Sequence, residues 1–263
     1  MLNFALNHMT VPSLTMKQAC DLARDLGMTG LELRNDLDAP LFDGKAPRVD
    51  MIDLPVVALA EVKAFNAFDD AVLQSAILLM DLAVGCGARA ISLIPKVGSD
   101  AVAPDGLRRA MIALAPELEQ RGLTGLIEPI GFAHSSLRHK SQVVDLIDTL
   151  DLGAQFGLIH DTFHHHLSGE SALYPAHTKL VHISGVTDRD VPEADIRDHH
   201  RVLVDGADRL GNVAQITELL RGGYTGPLSF EAFSPDVHAD IDPKASLSRS
   251  IHFIENEIMA LAA

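Results

Sequence analysis

The 263-residue chain contains no tryptophan, and aromatic residues make up only 5% of it. An aromatic sugar-binding platform or a base-stacking surface therefore has little to be built from. Cysteine is scarce as well. Cys20 and Cys86 both fall inside helical patterns, which gives no disulfide framework and points to a reduced, cytoplasmic compartment. Positive charge is in deficit, with 21 Lys+Arg against 36 Asp+Glu and a formal net charge of −15. Phosphate backbones normally require a basic face, so nucleic acid is not the expected partner. No apolar run approaches the roughly 18 residues that cross a bilayer. Ala71–Met80, among the longest, is bounded by Asp70 and Asp81, and MLNFALNHMT lacks the basic flank and apolar core of a signal peptide. No membrane association is expected.

A folded domain is expected from the ordinary 47% hydrophobic content and the lack of low-complexity tracts. Short apolar runs recur: Leu2–Asn7, Gly30–Asn35, Val56–Asn66, Ala88–Pro95, Leu123–Gly131, Phe156–Phe163, Lys179–Gly185 and Pro227–Phe233. Between them lie helical patterns, clearest at Asp70–Val84, Pro104–Gln120, Ser141–Leu150, Asn212–Arg221 and Pro243–Leu261. In the first helical segment Ala19, Leu22, Ala23 and Leu26 share a face, and Gly27 stands where a left-handed cap belongs. Near-continuous apolar strands alternating with helices predict a parallel sheet covered by helices. About eight units make a single α/β domain, a (β/α)₈ TIM barrel over residues 1–263, the leading architecture. A doubly wound open sheet comes second, because ALNHMTVPS after the first strand has no glycine for a dinucleotide fingerprint. The connection Asp36–Pro55 reads as irregular, and Val186–Gly211 is a long polar insertion after the seventh strand.

Barrel enzymes draw their chemistry from the C-terminal ends of strands. Here those ends carry Asn7 and His8, Glu32 and Arg34, Asn66, Lys96, Glu128, Asp161, His182 and Glu231. Glu128 (GLIEPIG), Asp161 (GLIHDTFHHH), His182 (LVHISG) and Glu231 (PLSFEAF) interrupt otherwise apolar stretches, where an unpaired charge is expensive to bury. Any one of them could be an ordinary salt-bridged residue; four consecutive strands ending this way is the informative coincidence. Three carboxylates brought together would repel one another, and a divalent cation resolves that conflict. Three carboxylates plus one imidazole suit Mn²⁺, Mg²⁺, Co²⁺ or Zn²⁺ with positions left open for substrate. Histidine is abundant at 13 residues. In the run His164–His166, one functional histidine beside two partly exposed ones is the expected arrangement, since three consecutive loop residues do not converge on one ion. His199 and His200 read as surface loop. His160 should point away from Asp161 and be packed or hydrogen-bonded.

The series IEP, HDTFH, VHISG and FEAF resembles the sugar-phosphate isomerase/epimerase superfamily of TIM barrels (xylose isomerase-like and endonuclease IV-like). The resemblance spans essentially the whole chain and is strongest from Leu123 onward. RVLVDGADRLGN (Arg201–Asn212) and the early NHMT are most similar to the inosose (2-keto-myo-inositol) isomerase branch, while LVHISG is also similar to hydroxypyruvate isomerases. The resemblance implies one divalent metal held by Glu128, Asp161, His182 and Glu231, with His164 and Arg201 contacting substrate. It further implies an isomerase of inositol or other carbohydrate metabolism. Such an enzyme moves a carbonyl between adjacent carbons of an α-hydroxy ketone through a cis-enediolate, Glu128 and Glu231 exchanging the protons. Lys96 or Arg34 would add positive charge at the rim. The substrate would be a small polyhydroxy ketone or aldehyde.

Epimerisation, hydroxypyruvate isomerisation or dehydration would use the same metal site. An endonuclease IV-like phosphodiesterase needs extra ligands from early strands, where His8 is the only histidine before His134. A non-catalytic binding barrel would be expected to have lost part of the ligand set. The surface allows a homo-oligomer without demanding one.

Overall fold

The computed structural model describes residues 2–37, 41–42 and 52–262. Eight strands form a closed barrel: β1 (Phe4–Asn7), β2 (Gly30–Arg34), β3 (Val56–Val62), β4 (Ala90–Leu93), β5 (Thr124–Ile127), β6 (Phe156–Asp161), β7 (Thr178–Ile183) and β8 (Leu228–Phe230). Every neighbouring pair is parallel, and β8 pairs back onto β1 through Phe4–Leu228, Ala5–Ser229 and Leu6–Phe230. The (β/α)₈ barrel is therefore the fold, and the open-sheet alternative does not apply.

Most strands are shorter than the apolar runs that announced them, and the polar residues fall at or just past the strand ends: Asp161 and His182 lie within β6 and β7. Glu128 and Glu231 stand one position beyond β5 and β8, yet their amides still donate to Leu93 O (3.2 Å) and Ile183 O (3.0 Å). Their backbones thus remain attached to the barrel.

The covering helices are α1 (Met16–Asp25), α2 (Asp70–Gly85), α3 (Gly106–Arg121), α4 (Lys140–Thr149), α5 (Thr162–Ser168), α6 (Asn212–Arg221), a short α7 (Pro235–His238) and α8 (Pro243–Ala262). Local chemistry sets their ends. Thr15 and Gln18 form a capping box before α1, and Asp69 accepts from Val72 N–H before α2. Gly27 adopts φ +68°, the left-handed conformation expected after α1. The Asp36–Pro55 connection, expected to be irregular, lies largely outside the described residues. Among the described residues no helix is long and apolar enough to cross a membrane.

The insertion after β7 contains no α-helix before α6, only short 3-10 turns at Glu193–Asp195 and Asp198–His200. It folds back where Gly185 and Val202 exchange two backbone hydrogen bonds of 2.8 Å. That return carries Arg201 to the barrel mouth.

Candidate metal centre

Period-two alternation builds the site. A small buried cluster of Ala58, Ala90, Leu126, Ile159 and Leu180 is contributed by five successive strands. Two residues further along β5, β6 and β7, on the same face, come Glu128, Asp161 and His182. On β8 the same step leads from buried Ser229 to Glu231. Four ligand-type side chains thereby stack as one layer above an apolar plug. The alternate positions Ile127, Leu158 and Val181 face outward and join the large core beneath the helices.

One ligand atom from each of Glu128, Asp161, His182 and Glu231 can be chosen so that all lie within 4.8 Å of one another, and all four residues are buried. His182 Nδ1 lies 3.1 Å from Glu231 Oε2, 3.5 Å from Glu128 Oε1 and 4.0 Å from Asp161 Oδ2. It is buried and makes no hydrogen bond to any of them. The opposite nitrogen, Nε2, lies 2.9 Å from Glu32 Oε2, and Glu32 also accepts from Ser229 Oγ at 2.9 Å. A ring tied to a carboxylate through one nitrogen, with the other aimed at three carboxylates, is the arrangement of a metal-ligating histidine and its orienting partner. The donor set fits a divalent cation.

Asp161 serves two structures at once. Its Oδ1 caps α5, accepting from Phe163 N–H (2.7 Å) and His164 N–H (3.3 Å), while Oδ2 faces the cluster. Arg201 closes the layer. Its Nη2 donates to Asp161 Oδ2 (2.7 Å) and Glu231 Oε2 (2.9 Å), and its Nε donates to Ser184 Oγ (2.9 Å). The guanidinium is wedged between the rings of Phe163 and Phe233, 4.8 and 4.5 Å from their centroids. Arg34 approaches from β2, donating to Glu231 Oε1 (2.6 Å), Asp36 and Glu61.

The two glutamates sit in different electrostatic surroundings. Burial pushes the Glu128 carboxyl up to about 8, with His182 offsetting only part of the effect. Burial acts on Glu231 as well, but His182, Arg201 and Arg34 outweigh it and hold that carboxyl well below its ordinary value. Burial would lower His182, yet Glu231, Glu32 and Glu128 together raise it well above normal. His164 is lowered chiefly by burial, which keeps it neutral. Its Nδ1 is buried without a partner.

The residues expected at the site fare unequally. Glu128, Asp161, His182 and Glu231 come together, and Arg201 and His164 border them. A cavity of about 310 Å³ opens over this layer, lined in part by Glu128, His164, Arg201 and Glu231. The histidine run is not a loop: His164–His166 lie on α5, with His164 buried and its two neighbours partly exposed. Helical geometry aims the three in different directions. Lys96 points away and pairs with Asp100 at 3.0 Å. Asn66 is a loop clamp bonded to Ser136 Oγ and Lys96 N–H. Arg34 is not a rim charge but a buried partner of Glu231. His199 and His200 occupy the 3-10 turn of the insertion, and His160 points outward as expected, bonded to Lys140 and Gln215.

Glu32 and Glu61 have structural roles that the strand-end pattern left unassigned. Their signal was a lone acid inside an apolar strand, GLELR and VVALAEV. Which of the acids in such strands face one another cannot be read without the barrel's closure.

No curated protein matches the sequence. Among solved structures, a xylose isomerase domain-containing protein from Salmonella typhimurium LT2 is 28% identical. It superposes with a TM-score of 0.88 over 96% of this chain and 97% of its own. The IOLI protein, solved with a zinc atom bound, is 18% identical with a TM-score of 0.76, covering 98% of this chain and 97% of that one. An L-ribulose 3-epimerase is 20% identical with a TM-score of 0.69, covering 99% and 95%. The latter two likenesses are likenesses of fold. Residues 20–257 match the model of the xylose isomerase-like TIM-barrel family, and the chain belongs to that family.

Proposed function

We propose that the protein is a divalent-metal-dependent isomerase that moves a carbonyl between adjacent carbons of a small α-hydroxy ketone, a ketose or keto-inositol, through a cis-enediolate. The observation that carries this reading is the buried His182 Nδ1, unpartnered and facing Glu128, Asp161 and Glu231. The IOLI protein's zinc, in a barrel of the same fold, supports the metal part of it. Glu128, Asp161, His182 and Glu231 would hold the ion. When bound, it supplies positive charge that stabilises an oxyanion on the substrate.

The chain's own residues do the rest. Glu231 is engaged on both oxygens, by Asn7 (3.1 Å) and Arg34 on one and by Arg201 on the other. Among the described residues no comparable donor bonds the Glu128 carboxylate, and His182 Nδ1 stands 3.5 Å from it. Glu128 is accordingly the better proton acceptor, taking the carbon-bound proton at a carboxylate oxygen. Protonated Glu128 returns that proton to the adjacent carbon of the enediolate as the hydroxyl proton passes to the former carbonyl oxygen, while Glu231, held as a carboxylate, keeps its place in the layer. His164 Nδ1 has an unused hydrogen-bonding position for a substrate oxygen, and Arg201, which lines the same cavity, orients the Asp161 and Glu231 carboxylates. The 310 Å³ cavity, lined by Ile94, Ile130, Phe132 and Phe233 as well as its charged residues, suits one sugar ring or a short open-chain ketose.

The test is deuterium incorporation from heavy water into a panel of α-hydroxy ketones, with keto-inositols and ketohexoses included, read by NMR. Metal-loaded protein should label a substrate carbon next to the carbonyl and form the isomeric ketone. Glu128→Gln, loaded at a metal concentration that fills the site, should stop labelling. Unchanged labelling and turnover in both Glu128→Gln and Glu231→Gln would end the proposal. A product inverted at one carbon would make the enzyme an epimerase, and loss of water would make it a dehydratase.

A further inference from the structure

Behind the metal layer, on the helix side of the barrel wall, lies a second group of buried polar side chains that the mechanism does not use. Lys140, the first residue of α4, is buried, and its Nζ lies 3.0 Å from His160 Nδ1 and 2.7 Å from His165 Nδ1. As an ammonium Lys140 only donates, and both imidazoles then accept through Nδ1 and carry their proton on Nε2. His160 Nε2 then donates to Gln215 Oε1 at 2.9 Å. The Gln215 amide nitrogen in turn donates to the carbonyls of Thr162 (3.1 Å) and Leu210 (2.9 Å). These polarities are mutually consistent along the whole chain of contacts. Glu170, just beyond α5, secures the lysine's own backbone by accepting from the N–H groups of Lys140 and Ser141 at 2.9 and 3.0 Å.

The placement of these contacts is what gives them meaning. His160 precedes Asp161, Thr162 follows it, and His165 follows His164. The strand-to-helix joint between β6 and α5 is therefore gripped from behind on both sides of Asp161 and again next to His164. The inward-facing members of that joint are Asp161, in the ligand layer, and His164, which lines the cavity. Burying a lysine to achieve this is costly: burial pushes its amine down to about 7. An apolar side chain of the same length would pack there without that cost, so packing alone does not account for the lysine.

We propose that Lys140 is a positioning residue, which through His160 and His165 fixes the joint that presents Asp161 to the metal and His164 to the substrate. Groups hydrogen-bonded directly to a metal ligand typically change metal affinity by 10- to 100-fold when removed, and Lys140, one contact further out, belongs at the low end of that range. The inference rests on the metal reading above, and the experiment separates the two.

Metal-free wild type, Lys140→Met, Lys140→Arg, Gln215→Leu and Val144→Ala would each be titrated with Co²⁺ alone, following its visible absorption. Lys140→Met and Gln215→Leu should bind about tenfold more weakly or worse, with an altered spectrum, while Lys140→Arg, which keeps the donors, recovers most of the affinity. Val144→Ala, a cavity in the apolar core one turn further along the same helix that leaves every one of these polar contacts intact, should bind like wild type. Folded Lys140→Met binding within about twofold of wild type would overturn the inference. So would a Val144→Ala loss equal to that of Lys140→Met. If Lys140→Met does not fold, Gln215→Leu decides by the same criterion. Wild type that binds no metal would overturn the metal reading and this inference with it. Wild-type binding with unaffected Lys140 and Gln215 variants would remove this inference alone.

Discussion

Glu32 on β2 and His182 on β7 meet across the barrel interior, imidazole Nε2 lying 2.9 and 3.0 Å from the two carboxylate oxygens. The contact joins positions 150 residues apart in the sequence. It fixes which nitrogen of His182 is free to face Glu128, Asp161 and Glu231.

Glu32→Gln keeps the volume of the side chain but removes the negative charge that anchors the ring. Metal affinity is expected to fall by roughly 10- to 100-fold, measured by titrating metal-free protein. Ser229→Ala, which deletes only the hydroxyl donating to Glu32, should have a smaller effect in the same direction.

Arg201 neutralises Asp161 and Glu231 from inside a sandwich of two phenylalanine rings. Arg201→Ala should destabilise the metal-free protein by about 3–5 kcal/mol in denaturant unfolding, because it strands two buried carboxylates. Arg201→Lys should recover only part of this, since an ammonium could meet the two oxygens that Nη2 alone reaches but could neither bond Ser184 Oγ at the same time nor fill the space between Phe163 and Phe233 as a planar guanidinium does. Added divalent metal should return part of the lost stability, because it supplies the missing charge.

Glu128 gives the metal-free protein a distinctive pH dependence. Its folded-state value, pushed up to about 8, lies above the 4.5 of an ordinary glutamate. Between those limits the native state holds a proton that the unfolded state has released. Stability contributed by this group is therefore complete at the acid end and is lost as pH rises toward 8. Unfolding of chelator-treated protein across that range should show the decline, and Glu128→Gln should flatten it. Metal binding must displace the same proton, so apparent affinity should rise over the same interval.

Gly131 follows Glu128 by three residues and lies directly against α5. A methyl group there would collide with the carbonyl of His164 and crowd Ser168 N. Gly131→Ala should cost roughly 1–3 kcal/mol in thermal or chemical unfolding, as overpacking does. Because the displaced backbone is that of His164, turnover should suffer beyond the loss of stability. Gly153→Ala, whose added carbon would meet only Ile147 at 3.9 Å, is the benign comparison.

The barrel and much of its site were legible in the chain before any coordinates. Apolar runs of strand length alternate with amphipathic helices, and that pattern can be satisfied by few architectures. Glu128, Asp161, His182 and Glu231 were visible because an ionisable group inside an apolar run must have a partner, and alternation with Leu126, Ile159 and Leu180 fixes the side on which three of them emerge. Gly27 was visible because a left-handed residue at a helix end favours glycine. Such features depend on a few neighbouring residues, whose chemistry is the same wherever the chain goes.

Pairings across the barrel were decided only by closure. Nothing in GLELR says that Glu32 will reach His182 rather than Arg34, or that Arg34 will leave the rim to bind Glu231. Lys140 reads as an ordinary first-turn helix lysine until β6 and α5 bring two imidazoles to its amine. Arg201 is set at the mouth by two backbone bonds between Gly185 and Val202, a fold-back that a polar insertion does not announce. Local sequence settles conformation because backbone dihedrals and side-chain period act over a few residues, whereas the partner of a buried charge is chosen by whatever a distant strand delivers to the same few ångströms.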